Sequence, residues 1–212
     1  MANVSKINGF RPIKHVTGAP YNGQCNIYAV ASSDSTALFV GDSVKLAADA
    51  NAAGIQYVTA HAAGTAGTGQ PALGVVVGVL NTKFDPVEGK MSGGTVSLDT
   101  PQYRAASTEG YVLVADSPDL IFEVEATAAG SAYSFAVADV GQNANLYAGA
   151  GSTTTGNSQH SLNMSDKGTT STLPFKIVGV SKKIDNEVTG NYTKVLVQIN
   201  NHQYKSVGTV GV

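Results

Sequence analysis

The sequence predicts an all-β protein: two related small β-barrel or sandwich-like units preceded by an extended N-terminal arm. Three observations carry this. No window of the 212 residues keeps an apolar i, i+3, i+4, i+7 pattern through eleven residues without Gly or Pro interrupting it. Short runs rich in Val, Ile, Tyr and Phe are plentiful and are bounded by Gly, Asp, Asn, Ser and Pro, which is how strands and their turns read. Finally, the chain repeats itself in order, about a hundred residues apart.

The arm comes first, over residues 1–24. It holds Asn8-Gly9, Asn22-Gly23, Pro12 and Pro20 and no long apolar run. Each proline removes a backbone donor and favours extended chain nearby. Phe10, Ile13, Val16 and Tyr21 give such an arm apolar footholds, on its own surface or on a partner's.

The first β unit is expected over 25–125, with strands at "NIYAV", "SVKLA", "IQYVTA", "LGVVVGVL", "TVSL", "YVLVA" and "LIFEVEA". The last two join at Asp116–Asp119, where Pro118 fixes its own φ and Ser117 and the two aspartates can hydrogen-bond the turn backbone. The glycines inside "LGVVVGV" weaken a strand unless they permit a bend or a close backbone approach, as the curl of a small barrel demands.

A second unit follows over 126–201, with strands at "FKIVGV" and "KVLVQI", and a C-terminal tail over 202–212. Its kinship with the first rests on three echoes. "FVGDSVKLA" (39–47) answers "DVGQNANLYAG" (139–149), "GVVVGVLNTKFDPVEG" (74–89) answers "FKIVGVSKKIDNEVTG" (175–190), and "EGYVLVAD" (109–116) answers "NYTKVLVQIN" (191–200). The second copy lacks a counterpart of "KMSGGTVSLDTPQYRAAST". A small β unit has exposed sheet edges and a modest core, and pairing two units covers both deficits.

Composition narrows the function. Charged residues are 13 % of the chain, about half the usual share, and the net charge is −2, so general nucleic-acid binding is not expected. Residues 1–33 carry three bases and no acid, residues 34–139 twelve acids against four bases, and residues 140–212 six bases against three acids. That distribution is either ordinary surface variation or a sign that basic ends meet acidic neighbouring surfaces in an assembly. One cysteine, Cys25, excludes an intrachain disulfide and a thiolate metal cage. The amino terminus lacks a signal-peptide pattern, and the longest aliphatic run, Leu73–Leu80, is too short for a membrane helix, so no membrane partner is expected.

No catalytic constellation, metal site or cofactor is expected. His15, His61, His160 and His202 show no metal-ligand spacing and read as polar loop or strand-end residues. No G-x-S-x-G elbow is present, and "GAGSTTTG" (149–156) and "GTAGTGQP" (64–71) lack the lysine of a phosphate loop. Glu123 and Glu125 share a strand face near Asp116 and Asp119 and read as a solvated face, with a calcium or salt-bridge site as the alternative. Aromatic residues and arginine favour interface centres, which singles out Tyr21, Tyr103, Arg104 and Tyr204 as contact residues.

The combination "NGFRPIKH…GAPYNGQCNIYAV…ALFVGDSVKLA…ALGVVVGV…YRAASTEGYVLVADSPDLIFEVE…LPFKIVGV…KVLVQINNHQ" resembles a group of tailed-phage structural proteins found with the head genes, over nearly the whole chain. The "GDSVKL…ALGVVVGV" block also resembles the decoration (cement) proteins of phage heads. The resemblance implies a non-enzymatic protein, made in many copies in the host cytoplasm, that binds the major capsid protein on the outside of the expanded shell and stabilises the virion. By analogy with other decoration proteins it also implies association with copies of itself, as a trimer. The arm, with Phe10, Arg11, Ile13, Lys14 and Tyr21, is then the expected shell- or neighbour-contacting element, and removing residues 1–24 is expected to leave folding intact but abolish occupancy. A tail or neck component and a host-surface, glycan-binding module are the competing classes.

Overall fold

The computed structural model describes residues 3–80 and 102–205, together with the short strands Phe84–Asp85 and Lys90–Met91. Among the described residues all regular structure is β, apart from one 3-10 turn at Val137–Asp139. The expected strand "TVSL" and residues 206–212 of the tail lie outside the described residues.

Five strands close the first barrel: β2 (Asn26–Val30), β3 (Ser43–Ala50), β4 (Gln56–Ala60), β5 (Gly74–Leu80) and β8 (Gly110–Ala115), in the order β2-β4-β3-β5-β8. The two-residue strands β6 (Phe84–Asp85) and β7 (Lys90–Met91) pair with each other in the β5–β8 connection. The second sheet contains β1 (Arg11–His15), β9 (Leu120–Thr127), β10 (Asn143–Gly149), β11 (Gln159–Gly168), β12 (Phe175–Val180) and β13 (Lys194–Ile199). Pairing of β9 with β13 joins the ends of the run β9-β11-β10-β12-β13, so these five strands also form a ring, with β1 added alongside β9.

The two rings share one connectivity. In each, the first strand pairs parallel with the third and antiparallel with the last, the second lies between the third and fourth, and the fourth pairs with the last. The echo extends to single hydrogen bonds. Gly41 N–H donates to the Val76 carbonyl and Val76 N–H to the Asp42 carbonyl, as Gly141 does to Ile177 and Ile177 to Gln142. Both corners need a glycine, because φ is +99° at Gly41 and +93° at Gly141. Register slips once in each fourth strand, between Val76 and Gly78 and between Ile177 and Gly179, so the glycines in "VVVGV" and "IVGV" mark a shared β-bulge.

The boundary between units sits at the turn before Leu120 rather than at residue 125. β9 was expected in the first unit, but its ladder partners β13 and β11 belong to the second. Hydrophobic alternation explains the long valine run in β5. Val76 points into the first barrel with Tyr28, Val30, Leu38, Val44 and Val112, while Val75 and Val77 pack against the second core around Phe122, Leu146, Phe175 and Val197. A strand buried on both faces reads as a continuous apolar run.

Candidate functional site

The arm and residues Gln203–Tyr204 are built into the fold, and this decides which surface is left for function. β1 pairs antiparallel with β9 from Arg11↔Glu123 to His15↔Leu120. The chain then doubles back, His15 N–H donating to the Ala19 carbonyl and Tyr21 N–H to the Ile13 carbonyl. Phe10 is 1 % exposed and stacks on Phe175 with ring centroids 4.6 Å apart. Gly9 must be glycine: φ is +69°, and a Cβ there would lie 2.4 Å from the Gly41 carbonyl oxygen. At the other end Gln203 Oε1 accepts from Leu46 N–H, and the Tyr204 and Tyr28 hydroxyls lie 3.0 Å apart.

A groove runs beside the arm. Its apolar part, about 430 Å³, is lined by Val4, Ile184 and Tyr192 with Asn3, Asn186 and Lys194. A more charged part, about 230 Å³, continues along Lys6, Arg11, Glu123, Glu125 and Lys183. Val4 is 70 % exposed and Ile184 fully so, which places two aliphatic side chains in water on one edge. The acids in the floor are already engaged. Glu123 accepts from the Ser181 hydroxyl (2.5 Å) and Lys183 Nζ (2.6 Å), and Glu125 from the Lys6 N–H (2.7 Å) and the Ser5 hydroxyl (3.0 Å). Burial nonetheless holds the Glu125 carboxyl above its ordinary pKa, with the Lys6 and Ser5 bonds acting against it. The solvated face expected for this pair is therefore corrected: both glutamates are buried under the arm and the β12–β13 connection. Lys6 and Arg11 stay exposed beside the apolar groove, whose wall also carries the exposed Lys183, Asp185 and Glu187.

The seam between the barrels holds the second polar cluster. Ser43 N–H donates to His160 Nδ1 (3.1 Å), so His160 carries its proton on Nε2, 3.5 Å from Asp42 Oδ1. The other Asp42 oxygen accepts from Phe39 N–H (2.8 Å). His61 Nε2 faces the Gln70 carbonyl at 3.0 Å and must donate there, which leaves Nδ1 to accept from the Ser43 hydroxyl at 3.1 Å. Burial pushes Asp42 up to about 6 and His160 and His61 down to about 4 and about 3, so both imidazoles are neutral at pH 7. A cleft of about 570 Å³ reaches Asp42, His61 and His160 together with Phe39 and Gly151, but Ser43 does not line it. The serine–histidine pair thus spends its hydrogen bonds inside the seam and presents no nucleophile. The histidines were expected at loops and strand ends. That holds for His61 and His160 in sequence, yet the spacing gave no sign that the fold would bring the two together over a serine.

The expected contact residues divide. Phe10 is core, and Arg104 is 3 % exposed with its guanidinium donating to the carbonyls of Ala31, Thr36 and Thr108 at 2.6–2.7 Å. Both are corrected to internal roles, because a side chain enclosed on all sides has no area to offer a partner. Tyr21 packs against the second core, and Tyr103 stacks on Phe39 at 5.1 Å. Arg11 and Ile13 project outward from β1, Lys14 is half-buried, and Tyr204 keeps an exposed ring. Sequence reasoning missed Val4, Ile184 and Tyr192, which no local pattern connects across some 180 residues.

Comparison with protein-family models, with curated proteins and with solved structures returns no match for the chain. Among the described residues no group of three or more His, Cys, Asp and Glu could hold a metal ion, and no helix is long and apolar enough to cross a membrane.

Proposed function

We propose that this chain is a phage-head decoration protein that binds the major capsid protein from outside and stabilises the shell by contact, without catalysis. The observation that carries this reading is the open apolar groove of Val4, Ile184 and Tyr192, edged by Lys6, Arg11, Asp185 and Glu187, on a scaffold to which the arm and Gln203–Tyr204 are pinned. A pinned scaffold loses little conformational entropy on binding, so modest contacts suffice for affinity. Binding the intact shell and not its disrupted form raises shell stability at every occupied site, and a repeating lattice adds multivalency. The resemblance of "NGFRPIKH" and "KVLVQINNHQ" to head-gene structural proteins supports the major capsid protein as the partner.

The test is occupancy on heads prepared without the protein. Wild-type chain is expected to bind expanded heads and raise their resistance to heat. A Val4→Asp, Ile184→Asp, Arg11→Glu variant is expected to fold with unchanged urea midpoint yet lose occupancy at least tenfold. Undiminished occupancy would reject the groove, and binding to assembled tails or to a glycan instead of heads would reject the decoration role.

A further inference from the structure

The internal duplication exposes a face that its own repeat shows how to cover. On the first barrel, the corner before β3 is capped by the second barrel. Val40 N–H donates to the Gly156 carbonyl (3.2 Å), Ser158 N–H donates to the Val40 carbonyl (2.9 Å), and Val40 bridges Asn157 in parallel. Val77, beside that corner, packs against the second core. A Cβ on Gly41 would come within 2.7 Å of Asn8 O and 3.2 Å of Ser158 Cβ.

The same positions of the second barrel have no second barrel packed on them and are more exposed. Val140 stands where Val40 does and is 37 % exposed; Val178 stands where Val77 does and is 40 % exposed. Val137 adds a further 63 % exposed valine, and a Cβ on Gly141 would meet nothing within 4 Å. Three exposed valines, at a corner whose twin positions Val40 and Val77 are partly covered by the second barrel, form an unpartnered face.

The capping segment has a twin as well. Residues Gly156–Ser158 leave a turn in which Ser152 N–H donates to the Asn157 carbonyl and Gly156 N–H to the Ser152 carbonyl. In the first barrel, Asn51 N–H donates to the Ile55 carbonyl and Gly54 N–H to the Asn51 carbonyl, and Gly54 and Gly156 both have positive φ (+77° and +72°). Ile55 therefore occupies the place of Asn157. The turn Ala52–Gly54 is exposed, with open space around Gly54.

We infer that a second copy of this chain seats its Gly54–Gln56 turn on the Val137, Val140 and Val178 face, repeating between molecules the packing of the seam that joins the two barrels within one, without the Val40-type donor bond because Val140 N–H already donates to the Val137 carbonyl. The occupant is fixed by the repeat itself: the face and the turn are the two halves of one interface, each left over at opposite ends of the tandem. Ile55 brings an aliphatic side chain to the position of Asn157, which suits a face of three valines. Such a contact is heterologous, using different patches on the two partners, so it closes into a ring where the rotation permits and otherwise propagates. The inference rests on the duplication and stands apart from the shell-binding reading, with which it shares no residue.

The experiment is sedimentation velocity or light scattering on the full chain and two variants, Val178→Asp and Ile55→Asp, with Ala53→Arg as a second lesion of the turn. Urea midpoints confirm that each variant is folded. The wild type is expected to self-associate, and each variant to do so at least tenfold more weakly. Mixing Val178→Asp with a turn variant is expected to restore a one-to-one dimer that grows no further, since each then supplies the half its partner lacks. A wild type that stays monomeric at its solubility limit, variants that associate as the wild type does, or a mixture that fails to recover the dimer would each overturn the inference. So would a monomeric wild type whose shell occupancy falls with Val178→Asp, because the face would then belong to the shell protein.

Discussion

Phe10→Ala tests whether the arm belongs to the fold or merely rests on it. Phe10 is enclosed by both barrels, stacked on Phe175 and clustered with Val75, Ala115 and Phe122. Truncation removes the ring but keeps the Phe10 N–H bond to the Gly41 carbonyl, so the loss is of packing alone. A buried Phe cut to Ala costs about 3–5 kcal/mol through lost transfer energy and the cavity left behind. With a urea m-value of roughly 2–3 kcal/mol per M for a chain of this size, the midpoint should fall by about 1–2.5 M. Arg11→Ala, one residue on and exposed, should stay within about 0.5 kcal/mol of wild type. The assay is equilibrium urea unfolding followed by far-ultraviolet circular dichroism. An unshifted midpoint for Phe10→Ala would refute the reasoning and return the arm to a detachable segment. The same logic overturns the expectation that a chain lacking residues 1–24 folds normally: such a chain loses Phe10 and the whole of β1.

Three further perturbations follow from the same packing. Arg104→Ala leaves the carbonyls of Ala31, Thr36 and Thr108 without the guanidinium and should cost about 3 kcal/mol, read as a melting-temperature drop of roughly 6–12 °C; a smaller loss than for an exposed arginine would contradict the assigned role. Gly9→Ala forces a side chain at positive φ into the Gly41 carbonyl and should destabilise far more than Gly23→Ala, where φ is +88° but nothing lies within 4 Å; equal thermal shifts would show that the close approach is absent. The seam makes stability pH-dependent. His61 and His160 have folded pKa values held below the unfolded one, so their contribution is complete above about pH 6.5 and declines as pH falls toward about 4 and about 3. Asp42 acts oppositely: raised to about 6, it takes up a proton in the native state first and adds stability as pH falls through that value. Between pH 6 and 5 the two imidazoles outweigh the one carboxyl, and His160→Gln should reduce the slope of unfolding free energy by about 1.4 kcal/mol per pH unit. Urea midpoints across that range provide the check, and an unchanged slope would remove His160 from the linkage.

The legible parts of the sequence were those in which one face of a strand is apolar. "NIYAV", "YVLVA", "LIFEVEA" and "KVLVQI" are strands because alternate side chains fill a barrel, and the repeated "VVVGV" and "IVGV" showed the duplication. Strand β11 was not legible: in "QHSLNMSDKG" the buried positions include His160 and Ser161 as well as Leu162 and Met164, and polar residues buried at a seam look like a loop. β1 was hidden by Pro12 and Pro20, which are tolerated because β1 lies at the edge of its sheet, with Pro20 only bridging Lys14. For the candidate site, Arg11 could be named from sequence because it sits in a short stretch with cations and apolar residues interleaved. The groove itself joins Asn3 to Glu187 and Thr193, contacts between chain ends that no local pattern encodes.

The most direct test of the proposed role is an image reconstruction of expanded phage heads prepared with this protein. The account predicts density for the twin barrels on the outer surface of the expanded shell, with Val4, Ile184 and Arg11 turned toward the capsid protein. A bare shell surface, or one with these residues facing solvent, would contradict it.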